Sequence, residues 1–126
     1  MNIALWIVAA FLAAVFTMSG VLKLAQSKSK LAESGMGWVE NFEPGTIKAI
    51  GALELLGAVG LIVPAALGIA TVLTPLAAVG LILVMAGAIV VHQRRQEYPF
   101  VAVNIVLLVL AAFVAWGRFG PYSFGE

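Results

Sequence analysis

Four long apolar runs decide most of what this chain can become: 3–22, 50–67, 69–91 and 100–116. A bilayer core about 30 Å thick is crossed by roughly 20 apolar residues in a helix. Four crossings use up most of a 126-residue chain and leave one modest loop. The expected fold is therefore all-α: an integral membrane, antiparallel four-helix bundle forming a single transmembrane domain over 1–126. Its helices are expected at about 3–24, 48–67, 69–92 and 99–117, with a short interfacial segment between the first two. The soluble alternative fails on polarity. A soluble surface helix carries a polar face every 3.6 residues, and the first, third and fourth runs are apolar nearly all round. Charged residues make up 10% of the chain, against about 25% in soluble domains.

The N-terminal run has no basic leader and is longer than a signal peptide's apolar core, so a retained first helix is expected. The polar stretch 25–48 holds Lys28, Lys30, Glu33, Glu40 and Glu43, with Leu31, Met36, Trp38, Val39 and Phe42 among them. That mixture suits a segment lying along the membrane surface with Trp38 at headgroup level; a plain flexible loop is the other reading. Pro64 falls near the end of the second run. Thr74-Pro75 is placed one to two turns inside the third, where a proline removes a backbone bond and kinks the helix. The turn near 64–68 has no charge and should be very short. The tail 119–126 is aromatic and expected at the interface. Trp6, Trp38 and Trp116 fit interfacial belts.

Four crossings put both termini and the middle turn on one side. That side has only Arg118. The other, with loops one and three, has Lys23, Lys28, Lys30, Lys48, Arg94 and Arg95. The positive-inside rule then places loops one and three in the cytoplasm and both termini outside the cell membrane. Ala9/Ala13, Gly57, Gly60, Gly80, Gly87 and Ala111/Ala115 are small residues suited to close helix packing. No basic run with interleaved aromatics supports nucleic-acid binding. Without cysteine, thiol catalysis, disulfides and Cys-ligated metals are excluded. One histidine, His92, does not make a metal site.

Glu54 demands a partner, because a carboxylate within lipid costs roughly 2.5–3.5 kcal/mol on insertion scales. Measured from Lys48, it lies six residues, about 9 Å, into the second helix. Asn104 is at the same depth in the fourth, Ser19 is near it in the first, and Lys23 and His92 sit at the rim. A polar pocket follows, with Ser19, Glu54 and Asn104 as its floor and Lys23, His92 and Arg95 at its mouth. Glu54 could pair with Lys23 or His92. A polar clamp that only fixes helix register explains the same residues.

The strings Ser19-Gly20-Val21-Leu22-Lys23-Leu24, Gly51-Ala52-Leu53-Glu54-Leu55-Leu56-Gly57 continuing to Pro64, and His92-Gln93-Arg94-Arg95-Gln96-Glu97 resemble the DoxX-like family of small four-helix membrane proteins. Gly35-Met36-Gly37-Trp38 and Val103-Asn104 fit as well, and the likeness spans about 3–118. The resemblance implies a membrane bundle. It marks Lys23, Glu54, His92 and Glu97 as the family's charged pattern, and it points to work beside quinol- or thiosulfate–quinone oxidoreductases or in receptor assembly. The leading expectation is a non-catalytic membrane subunit or assembly factor, with no catalytic motif of its own. A binder or enzyme for a lipophilic molecule around Glu54 comes second and a proton-coupled small transporter third. No cofactor is intrinsic to the chain. A quinone, a membrane-protein partner, a second copy and a lipophilic ligand are the candidate associates besides the bilayer.

Overall fold

The computed structural model describes residues 1–124. Its elements are α1 (Asn2–Ala25), α2 (Lys28–Glu33), a 3-10 turn (Gly37–Asn41), α3 (Pro44–Leu67), α4 (Leu73–Arg94) and α5 (Tyr98–Phe119). The described residues contain no strand. Helices α1, α3, α4 and α5 are 22 to 24 residues long, about 33–36 Å at 1.5 Å per residue. That length and their apolar composition suit a bilayer crossing. Residues 125–126 of the tail lie outside the described residues.

Each helix runs antiparallel to its neighbours in a ring α1–α3–α4–α5. Gly20 and Lys23 of α1 meet Gly51 of α3; Gly57 and Gly60 of α3 meet Leu81 and Ala77 of α4; Leu5 of α1 meets Gly117 of α5. The core is continuous along the bundle and includes Leu12, Phe16, Leu61, Leu81, Met85 and Val114. The closest approach is between α1 and α3. A Cβ on Gly20 would stand 2.6 Å from the Gly51 carbonyl oxygen, and one on Gly51 would stand 2.7 Å from Lys23 Cβ. Only glycine permits that spacing, and it brings the polar residues of the two helices within reach of each other.

Two boundaries differ from the sequence reading. Helix α3 begins at Pro44 rather than at 48, because proline suits the first helical position, where its missing N–H costs nothing. Helix α4 begins at Leu73 rather than at 69. Helix α3 closes at Gly68, whose φ of 68° is left-handed, and Ile69 N–H returns to the Pro64 carbonyl. Residues 68–72 then form a real turn. Pro75 therefore sits in the first turn of α4, where no intrahelical bond is lost and the reason for the expected kink falls away. Thr74 ties this turn down: its hydroxyl donates toward the Gly60 and Leu61 carbonyls at 3.3 and 3.4 Å.

The stretch between α1 and α3 is folded, not a plain loop. Ser27 caps α2 by accepting from Lys30 N–H. Leu31 and Val39 then pack with Ile47 at the start of α3, with Leu22, Trp38 and Phe42 around them.

At the end carrying the termini, Arg118 is buried. Its Nη1 donates to Asn2 Oδ1 at 2.7 Å and to the Tyr122 carbonyl at 2.9 Å, and its guanidinium lies over Phe124. The one basic residue that the sequence places on this side is thus not a simple flank but a buried cation that joins the two chain ends.

Candidate functional site

The polar cluster starts from helix spacing. Ser19 and Lys23, four apart on α1, share a face, and the α1–α3 glycines press that face against Glu54 on α3. Lys23 Nζ donates to Glu54 Oε1 at 2.8 Å, Ser19 Oγ donates to the same oxygen at 2.9 Å, and Lys23 also donates to Ser19 Oγ. Both charges are buried, with side chains 7% and 4% exposed. A buried pair of this kind is tolerated because each charge has the other as counter-charge and the Ser19 hydroxyl adds a hydrogen bond to the carboxylate. Lys23 is thus not a rim residue, as its place near the end of the run suggested. It also lies 5.6 Å from the Trp38 ring centroid, within cation–π range.

A second cluster forms at the end of α4. Gln96 takes a left-handed φ of 60°, and the N–H groups of Gln96 and Glu97 return to the Gln93 and His92 carbonyls. This helix-ending turn folds the chain back on itself, which explains how residues five apart meet: His92 Nδ1 lies 2.8 Å from Glu97 Oε1. A carboxylate only accepts, so the partner assigns the ring proton to Nδ1 and leaves Nε2 as the second polar edge of His92. Arg95 Nε stands 3.3 Å from Glu97 Oε2. The hydrogen bond from His92, with Arg95 adding to it, holds the Glu97 carboxyl below its ordinary value of 4.5. The His92 ring stacks on Phe100 with centroids 5.1 Å apart and presents its edge to Trp38 at 6.2 Å.

Between the clusters lies a cavity of about 390 Å³. Its walls are apolar: Val15 and Phe16 of α1, Ile50 of α3, Met85 and Ala88 of α4, Leu107 of α5. Met36, Trp38 and Phe42 of the folded first loop close one end. Ser19, Lys23, Glu54, His92 and Asn104 supply its polar lining. The volume and the ratio of apolar wall to few polar groups are those of a small-molecule site.

Five of the seven candidate residues therefore share one cavity. Arg95 and Glu97 do not line it; they hold His92 and the loop ends, and Arg95 packs against Gly37 of the 3-10 turn. Asn104 is the exception within the lining. It is 9% exposed, and its Nδ2 is buried without a hydrogen-bond partner among the described residues. The sequence reading missed the roof: Trp38, assigned to an interfacial belt, faces Lys23 and His92. Its neighbours Met36 and Phe42 were visible only as apolar residues in a polar stretch, and no periodic signal in a loop says where they point.

A family model described as DoxX-like family matches residues 7–114, which takes in both clusters and the cavity. Comparison with curated proteins finds no match, and neither does comparison with solved structures.

Proposed function

Since the chain belongs to the DoxX-like family and is a multi-pass membrane protein with four helices long and apolar enough to span the bilayer, we propose that it binds a small lipophilic molecule in the cavity beneath the first loop. One observation carries this reading: an apolar cavity of about 390 Å³ ends on a buried polar layer that contains an amide with no partner. A clamp that only fixed helix register would have no use for that space. Glu54 and His92 are the groups that would hold or pass a proton at its edge, and Ser19 and Lys23 position Glu54. A quinone suits the lining. Asn104 and the His92 edge would take its oxygens and Phe16 and Trp38 would flank its ring; when bound it would supply electron transfer that the chain's own residues lack.

The test is extraction of the purified protein with organic solvent followed by mass spectrometry. A lipophilic compound should accompany the wild-type protein and be lost from Ala88→Phe, which fills the cavity. Equal amounts of every extracted lipid from both proteins would end the proposal.

A subunit or assembly role adds a partner to this reading rather than replacing it. Helix α4 offers a place for one: Gly80 is exposed, and a Cβ on it would meet nothing within 4 Å. Co-purification of one stoichiometric membrane protein would support that role. A proton-coupled transporter ranks third, because Glu54 already receives bonds from Lys23 and Ser19; flux into proteoliposomes driven by a pH gradient would raise it. By the charge bias, the cavity end of the bundle lies on the cytoplasmic side. Single cysteines at Ser29 and Ser123 would check this against the cysteine-free background, Ser29 reacting only from inside and Ser123 only from outside.

A further inference from the structure

We infer that the ligand of this cavity is an uncharged molecule with a hydrogen-bonding oxygen, a lipophilic alcohol, phenol or ketone, and that Asn104 is the residue that selects it. The inference rests on the binding reading above and gives it chemistry.

The first argument is charge. Each ionisable group lining the cavity is already paired: Lys23 with Glu54 at 2.8 Å, and His92 with Glu97 at 2.8 Å. A carboxylate or ammonium ligand entering this space would leave water and find no free opposite charge. It could bind only by breaking a pair, and a buried charge without a partner is strongly disfavoured. The site therefore excludes ions of both signs.

The second argument is the amide. Asn104 is nine-tenths buried and lines the cavity, yet its Nδ2 has no hydrogen-bond partner among the described residues. Buried amides are ordinarily satisfied. One with an unbonded donor beside an open space is completed by what enters that space. The amide offers an N–H donor and a carbonyl acceptor, so a hydroxyl or carbonyl oxygen satisfies it without a net charge. An alkane satisfies nothing there and leaves the amide's cost in place. The apolar walls from Val15 to Leu107 take the rest of the molecule.

The experiment compares a chain-matched series on the full-length protein in detergent: 1-undecanol, 2-undecanone, undecane, undecanoate and undecylammonium at neutral pH. Binding is read as the concentration of each needed to raise Tm by a fixed amount. The alcohol and the ketone should act at concentrations about five- to tenfold lower than undecane, the worth of one net hydrogen bond. The two ions should not stabilise the protein at all. Asn104→Leu, with the same number and branching of side-chain heavy atoms, should still respond to all three neutral members but lose the preference for oxygen.

Equal response of the wild type to undecane and the oxygen-bearing members overturns the inference while the cavity remains a binding site. So does stabilisation by undecanoate or undecylammonium, or a preference that survives in Asn104→Leu. If no member of the series stabilises the wild type, the binding reading itself fails. Should Asn104→Leu not fold, Asn104→Ala, which removes the same donor and acceptor, takes its place in the comparison.

Discussion

Replacing Glu54 by leucine tests whether Lys23 and Glu54 act as a unit. In the folded protein the two groups are 2.8 Å apart, and their side chains are 7% and 4% exposed. Removing one partner of such a pair costs about 3–5 kcal/mol, because the other is left charged and unpaired in a poor solvent. Lys23 lies in the last turn of α1, two residues before its end at Ala25, so its long side chain can swing partly toward the interface. That places Glu54→Leu at the lower end, at about 3 kcal/mol. Lys23→Met strands the carboxylate instead. Glu54 is ten residues into α3 from Pro44, about 15 Å along the axis, and cannot reach water by bending. Its bond from Ser19 remains, so a cost of about 3–4 kcal/mol is expected.

The double variant Lys23→Met/Glu54→Leu removes both charges and fills the space with apolar groups. It should lie within about 1–2 kcal/mol of wild type, far below the sum of the single costs. Equilibrium unfolding in mixed micelles, with SDS as denaturant, measures all four corners of the cycle. Costs that add to within about 0.5 kcal/mol would refute the reasoning, since independent sites add to that precision.

Gly20→Leu should destabilise by about 1–3 kcal/mol, because the atom in its way is the Gly51 carbonyl oxygen and backbone cannot step aside. Gly80→Leu, open to the surroundings, should change unfolding by no more than about 0.5 kcal/mol. The Glu97 carboxyl is held below its ordinary value of 4.5, so its contribution is complete above that pH and is lost as pH falls through the lowered value. The stability advantage of wild type over Glu97→Gln in the same SDS assay should thus shrink as pH falls below 4.5; an advantage that survives unchanged to about pH 3 would contradict it. Gln96→Gly relieves a left-handed φ of 60° and should stabilise by about 1 kcal/mol in the same SDS assay.

The bundle was legible because lipid leaves the backbone only helix or closed barrel, and uninterrupted apolar runs of about 20 residues are the helical solution. Helix starts were harder to read. Pro44 follows polar residues and Pro75 follows apolar ones, so a hydropathy boundary missed the first turn of α3 and absorbed residues 69–72, the turn before α4, into the helix. The polar layer was legible as depth, since residues counted from a helix end translate directly into height. Height does not give azimuth. It could not say that Ser19, Lys23 and Glu54 converge on one oxygen while Asn104 is left without a partner; that depends on the α1–α3 glycine contact. Nor could it find Trp38, which sits in a segment with no period to read. The burial of Arg118 escaped for a related reason: a cation after an apolar run reads as a flank, and only the fold brings Asn2 to it.

The Lys23–Glu54 pair also bears on how the chain enters the bilayer in the first place. Helix α1 is synthesised before α3, and its lysine, close to one end, can wait in the headgroup region. Helix α3 is the only spanning segment with a carboxylate well inside it, and on its own it carries an insertion penalty. Emerging next to α1, it meets its counter-charge already in place. The ribosome's order of synthesis thus delivers the acceptor after the donor, and the two helices can leave the translocation machinery as a neutral hairpin. Swapping the two residues between the helices would keep the pair in the finished bundle but reverse that order, asking an unaccompanied carboxylate to wait at the membrane edge.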